Sequence, residues 1–195
     1  MAKNRGDVIL RDRMQFDLDG SGDRTTLYGR IDLSAYVNPV ARDGLAIKEV
    51  RFQLRQPTNG NTGFFKPVAD FQSSGGSVGS QAAIKLYATT RAYENAADVG
   101  IASPDVLCVY EALSSVVVTP AGVSPNFITT ERFYGPKDLH PEGFTVVSDL
   151  LIGVAADFWS EEQGATLELD IMLIAEPISV TTERMNELLA QGMDL

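Results

Sequence analysis

Three observations predict an all-β fold, a single jelly-roll β-sandwich or barrel of about eight or nine strands with a short C-terminal helix. Short stretches alternate apolar and polar residues with period 2, which puts one set on each face of a strand. Gly-, Pro-, Asn- and Asp-rich turn signals separate these stretches. Helical periodicity is absent until the chain's end, which argues against βαβ units. At 195 residues, 44% of them hydrophobic, the chain suffices for one substantial core. Residues 1–195 read as a single domain, with 180–195 as helix and tail.

The elements follow in order. Residues 8–17 place Val8, Leu10, Met14 and Phe16 against Arg11, Arg13, Gln15 and Asp17. Residues 25–37 alternate Leu27, Ile31, Leu33 and Val37 with Thr26, Arg30, Asp32 and Ser34. In 46–55, Val50, Phe52 and Leu54 share one parity, but Leu45 and Ile47 sit on the other. A β-bulge near Lys48 or Glu49 reconciles them. Further strands are expected over 64–71, 82–89, 106–118 and 127–134. The 144–156 stretch is apolar on both parities, as in a strand covered on both faces or one at a subunit contact. Residues 165–178 alternate Leu167, Leu169, Ile171 and Leu173 with Thr166, Glu168 and Asp170. The Gly/Ser-rich run 72–81 reads as an exposed flexible loop, and the Ala-rich 91–102 as a long loop with a helical turn. Thr181 or Thr182 caps the terminal helix, Glu183 lies in its first turn, and Gly192 is a natural stop. Met185, Leu188 and Leu189 share one face of this helix. A helix so short must dock, on its own sheet or on a neighbour.

Charge excludes several functions. Sixteen basic residues face 26 acidic ones, for a net charge of −10, and only five of the basic residues are lysines. Such a surface repels phosphates and anionic membranes, so no direct nucleic-acid contact is expected. The N-terminal Lys3, Arg5, Arg11 and Arg13 are diluted by Asp7 and Asp12 and form no basic arm. An acidic, lysine-poor surface suits molar salt, where screening removes self-repulsion. The first residues carry no apolar signal region, so synthesis and folding in a cytoplasm are expected. The single Cys108 lies in an apolar run and reads as a core residue, with a disulfide to a neighbouring subunit as the alternative.

Catalytic chemistry finds little support. One histidine, His140, in a Leu-His-Pro turn, cannot build a multi-histidine metal site, and no nucleophile elbow accompanies it. Carboxylate pairs such as Glu161 with Glu162, or Asp149 with Asp157, cannot be promoted above chance, so no catalytic residue is assigned and the chain is read as a non-enzyme. The segment Asp17-Leu-Asp-Gly-Ser-Gly-Asp23 mimics the first half of an EF-hand loop. Its twelfth position is Tyr28, where that loop needs Glu. It reads as a hairpin turn, or as a partial Ca²⁺ or other structural-ion site formed by Asp17, Asp19, Ser21 and Asp23; no other cofactor is expected.

Strand count, long connections, terminal helix and the acidic, arginine-over-lysine composition together resemble the small major capsid protein of membrane-containing icosahedral viruses of haloarchaea. The resemblance covers the whole chain and rests on architecture and composition; no short motif carries it. It implies a virion capsid subunit combining with copies of itself and a second, larger capsid protein into pseudo-hexameric capsomers. These would stand above an internal membrane without inserting into it. An internal membrane also fits the charge, because a coat without a basic arm needs something between itself and a genome. Sheet edges and the terminal helix (Met185, Leu188, Leu189) would then make subunit contacts. The alternative is a lectin-like carbohydrate-binding sandwich, Ca²⁺-dependent through Asp17 to Asp23, with Trp159, Phe158, Tyr134 and Phe133 as candidate sugar-stacking aromatics.

Overall fold

The computed structural model describes residues 6–70, 80–117, 126–141 and 143–193. Nine strands form: β1 (Val8–Asp17), β2 (Arg24–Ile31), β3 (Asp43–Arg55), β4 (Ser80–Thr89), β5 (Val106–Val117), β6 (Asn126–Tyr134), β7 (Phe144–Val146), β8 (Leu150–Asp157) and β9 (Thr166–Ser179). A one-turn helix α1 (Pro136–Leu139) precedes β7, and α2 (Thr182–Met193) follows β9. One sheet has the order β1-β9-β3-β7, the other β2-β8-β4-β5-β6. All ladders are antiparallel. Only β4 to β5 and β5 to β6 connect within a sheet; every other connection crosses to the opposite one. That is the wiring of a jelly roll, with β6 added at one edge. No ladder joins the two sheets among the described residues, so the sandwich is open and the barrel alternative is not realised.

The predicted alternation becomes the core. Leu167, Leu169, Ile171, Leu173 and Ala175 of β9 are buried, opposite Phe16 and Val50 and against Ile84, Leu86, Ile152 and Val154 of the other sheet. The expected bulge is present: the β3–β9 register shifts between Ile47 and Glu49, leaving Lys48 as the extra residue. Cys108 is buried on the inner face of β5, where burial pushes its thiol up to about 12, as expected for a core residue.

Several elements differ from expectation. Residues 64–70 form no strand. Pro67 has no N–H for a ladder, and the neighbouring backbone groups are taken by side chains. Lys66 N–H donates to Glu162 Oε1 (2.5 Å), Pro67 C=O accepts from Trp159 Nε1 (2.9 Å), and Val68 C=O accepts from Ser114. The segment is a strap pinned across one end of the sandwich. The stretch expected as a strand over 25–37 leaves the sheet after Ile31. Asp32 accepts from Ser34 N–H (2.9 Å), and a helical turn brings Val37 N–H to Leu33 C=O (3.0 Å). Leu33 and Val37 are both buried; an i, i+4 turn meets the same burial demand as alternation. The 144–156 stretch splits at Val147–Asp149 into β7 and β8, which belong to different sheets.

The two-sided apolarity of β8 has a second cause. A small outer cluster of Tyr87, Ala96, Val99, Val106 and Val109 covers its sheet, with Tyr28, Tyr93 and Ala155 against it. The 90–105 loop forms this cover and contains the expected helical turn, a 3₁₀ turn at Ala96–Asp98. Tyr87 OH donates to Tyr28 OH (2.8 Å), which accepts from Tyr93 N–H (2.7 Å), and Ala96 N–H donates to Thr26 Oγ1 (2.9 Å). Gly153 in the middle of β8 admits the Tyr87 ring, since a Cβ there would lie 2.2 Å from Tyr87 Cζ.

Thr181 caps α2: its side chain accepts from Arg184 N–H (3.3 Å) and its C=O from Met185 N–H (2.9 Å). The helix runs through Gly192 to Met193, so Gly192 is not the stop. No described helix is long and apolar enough to cross a membrane. The expected flexible loop at 72–81 lies outside the described residues up to 79; Ser80 and Gln81 begin β4. Lys3 and Arg5 also lie outside them.

Candidate functional surfaces

The Asp17–Asp23 segment is a structural dovetail. Asp19 Oδ1 accepts from Ser21 N–H (2.7 Å) and Asp23 N–H (2.9 Å), which holds its carboxyl below the usual range. Asp23 Oδ1 accepts from Phe158 N–H (2.5 Å), and Asp17 Oδ1 from Thr166 Oγ1 (2.6 Å). The three carboxylates therefore serve three different places. Trp159 N–H closes the dovetail on Gly22 C=O (3.0 Å), and Gly22, at φ 81°, leaves no room for a Cβ. No group of three or more His, Cys, Asp or Glu able to hold a metal ion occurs among the described residues.

The terminal helix docks on its own molecule. Met185 is buried in the core cluster, with Leu188 and Leu189 packed against it. Met185 of the apolar face expected at a subunit contact is thus buried within the chain, as a helix this short requires, while Leu188 and Leu189 stay half-buried. His140 is likewise structural: Nε2 lies 2.8 Å from Val106 C=O, and the ring packs edge-on against Phe144.

The acids considered for catalysis are dispersed. Glu162 is buried and binds Lys66 N–H, whereas Glu161 offers its C=O to Lys66 Nζ (2.7 Å). Asp149 pairs with Arg30 and accepts from Leu33 N–H, and Asp157 is exposed at the end of β8. Among the aromatics, Trp159 is buried, edge-on to Phe65 (5.7 Å), while Phe158 and Phe133 are exposed on different elements.

The outer face of the four-stranded sheet carries a charge ladder. Arg13 Nε meets Asp170 (2.6 Å), Arg55 meets Glu168 (2.7 Å), and Gln15 donates to Glu168 (2.9 Å). Arg13 holds Asp170 below the usual carboxylate range.

Two features remain open. The outer strands of the two sheets expose large apolar side chains: Ile9 on β1 (50% exposed), and Ile128 (65%) and Phe133 (48%) on β6. The second is a lateral slot between the sheets. β7 pairs with only Leu45–Ile47 of β3, and α1 lies beside β3 and β5. Beyond them the edge of β3 at Phe52–Arg55 faces an opening of about 500 Å³. Phe52, Leu54, Ile84, Leu86, Tyr110 and Ala112 line it, with Thr129 and Glu131 of the overhanging β6 at its mouth. The strap contributes Phe65 and Val68. Sequence reasoning missed this slot. The available signal was Ser148-Asp149 cutting an apolar run short, together with Pro67 in a supposed strand.

No family model matches the chain, and no curated protein matches it.

Proposed function

We propose that the protein is a structural subunit of a virion shell, a major capsid protein that assembles with its own copies and with a second, larger capsid protein. The observation that carries this reading is the pair of edge strands β1 and β6, which expose the large apolar side chains Ile9, Ile128 and Phe133 among their charged residues. The jelly-roll wiring supports it, since stacked sandwiches of this kind suit shells. So does the charge of −10, which keeps copies apart in dilute buffer and ceases to act over more than about 3 Å at molar salt. The icosahedral arrangement, the haloarchaeal setting and an underlying membrane that the chain does not enter belong to the same proposal.

Light scattering with negative-stain imaging from millimolar to several-molar NaCl tests it. Discrete multimers or shell fragments that form at high salt and dissolve at low salt are expected. A folded monomer at every salt concentration, alone and with co-purifying partners, overturns it.

A further inference from the structure

Of the chain's asparagines only Asn59 precedes a glycine. Asparagine is a thermolabile residue. It reacts fastest where the following backbone nitrogen is free and uncrowded, since that nitrogen attacks the side-chain carbonyl carbon. Both conditions meet in the turn that joins β3 to the strap. Gly60 is exposed at φ 59°, and a Cβ built on it would meet nothing within 4 Å. Its N–H donates to no group among the described residues. The other asparagines are placed less well. Asn38 precedes Pro39, which has no N–H. Asn95 accepts from Ala97 N–H, and the nitrogen after it, Ala96 N, donates to Thr26 Oγ1 (2.9 Å). Asn186 lies within α2. Asn4, Asn61 and Asn126 precede the bulkier Arg5, Thr62 and Phe127. The two aspartates that precede glycine are held as well. Asp19 Oδ1 binds the Asp23 and Ser21 N–H groups, which keep its carboxyl below the usual range and so a poor electrophile. Asp43 and Gly44 are paired with Ser179 and Ile178 inside the β3–β9 ladder.

Asn59 also shapes the turn it sits in. Its Nδ2 donates to Phe64 C=O (2.7 Å), its N–H donates to Gln56 C=O (3.0 Å), and its C=O accepts from Gly63 N–H (3.3 Å). We propose that Asn59 is a site of spontaneous deamidation and that its conversion unlatches the 56–64 turn. Gly60 N gives its proton to hydroxide and attacks Asn59 Cγ. The N–Cγ bond forms, the Cγ–Nδ2 bond breaks, and Nδ2 takes a proton from water and leaves as ammonia. Water then opens the cyclic imide at either carbonyl, giving aspartate or an isoaspartyl linkage. One water is consumed, one ammonia is released, and no oxidant or reductant takes part. Aspartate puts an acceptor where the donor to Phe64 C=O stood, so that bond is lost. The isoaspartyl product also routes the main chain through Cγ, and the carbonyl that held Gly63 N–H becomes a free carboxylate. Either product adds a negative charge to a chain already at −10. The inference stands independently of the shell reading.

The test ages the full folded chain in mildly alkaline buffer, beside the same chain in denaturing urea. Peptide mass spectrometry locates deamidation, and labelling by an isoaspartyl methyltransferase measures isoaspartate. In the folded chain Asn59 is expected to convert at least tenfold faster than Asn38, Asn61, Asn95 or Asn186, with isoaspartate exceeding aspartate. Gly60→Asp keeps a residue type that tolerates the left-handed backbone but crowds the attacking nitrogen. It should slow conversion at Asn59 at least tenfold and leave the circular dichroism spectrum unchanged. The converted form, separated by anion exchange, should be cut within 56–64 by proteinase K at least fivefold faster than the fresh chain. Asn59→Asp should reproduce part of that increase. An Asn59 that converts only in urea, or no faster than Asn61 in the folded chain, overturns the site. Equal cleavage of the fresh and converted forms overturns the unlatching.

Discussion

Trp159→Phe isolates one of the contacts that hold the strap to the sandwich. The indole is buried, donates Nε1–H to Pro67 C=O at 2.9 Å and meets Phe65 edge-on. Phenylalanine keeps an aromatic ring there but removes the donor, leaving a buried carbonyl unpaired at a cost of roughly 1–3 kcal/mol. The smaller ring buries roughly 40 Å² less, worth about 1 kcal/mol. The total, about 2–4 kcal/mol, corresponds to a fall in Tm of roughly 5–15 °C for a chain of this size. Circular dichroism melts measure it without relying on indole fluorescence, which the substitution abolishes because Trp159 is the single tryptophan. Ser114→Ala removes another of the strap's anchors, the hydroxyl donating to Val68 C=O. The two substitutions hold one segment, so their effects should couple by about 0.5 kcal/mol or more. A loss under about 2 °C for Trp159→Phe, or strict additivity of the pair, refutes the strap as a cooperatively anchored element.

Three further outcomes follow from the same structure. Gly153→Ala should destabilise by about 1–3 kcal/mol or more in denaturant titration, because the new Cβ falls inside the Tyr87 ring. Deleting Lys48 should leave a folded protein with a regular β3–β9 ladder, whereas deleting Gln53 turns Leu54 outward and should abolish folding; circular dichroism and proteolysis distinguish the two. Cys108 should resist alkylation at pH 8 until denaturant is added, because burial raises its thiol from 9.0 to about 12. The unfolded chain releases that proton first, so the stability contributed by the neutral thiol is full below about pH 9 and is lost as pH rises towards 12. Cys108→Ala should flatten that part of the alkaline limb.

Much of the fold was legible because burial forces period 2 on any strand with one wet face. β1, β9 and the Lys48 bulge were readable for that reason: a phase change in alternation has few physical remedies. The errors arose where other structures satisfy the same pattern. Leu33 and Val37 are buried from a helical turn, and Val68, with the half-buried Phe65, from an irregular strap. The expectation that β8 is covered on both faces is met, but its outer cover comes from the 90–105 loop, a long-range contact that no local pattern encodes. The Asp17–Asp23 segment read as a hairpin turn, but β1 and β2 lie in different sheets, and it serves instead as a clasp on Trp159 whose partners lie over a hundred residues away. Likewise, the apolar stripe of Met185, Leu188 and Leu189 announced docking without saying onto what. The slot escaped because it is defined by where β7 stops, which depends on a sheet crossover at Ser148–Asp149.

Edge-driven, salt-dependent assembly is the central claim, and sedimentation velocity of the wild type beside an Ile128→Lys/Phe133→Ser double variant in several-molar NaCl tests it most directly. Both side chains are exposed on β6, so the variant should fold normally and its monomer should sediment like the wild type at low salt. The account predicts large, discrete wild-type assemblies at high salt and their loss in the variant. Assemblies of the same size in both proteins, or a wild type that stays monomeric in high salt with its partners present, would contradict it.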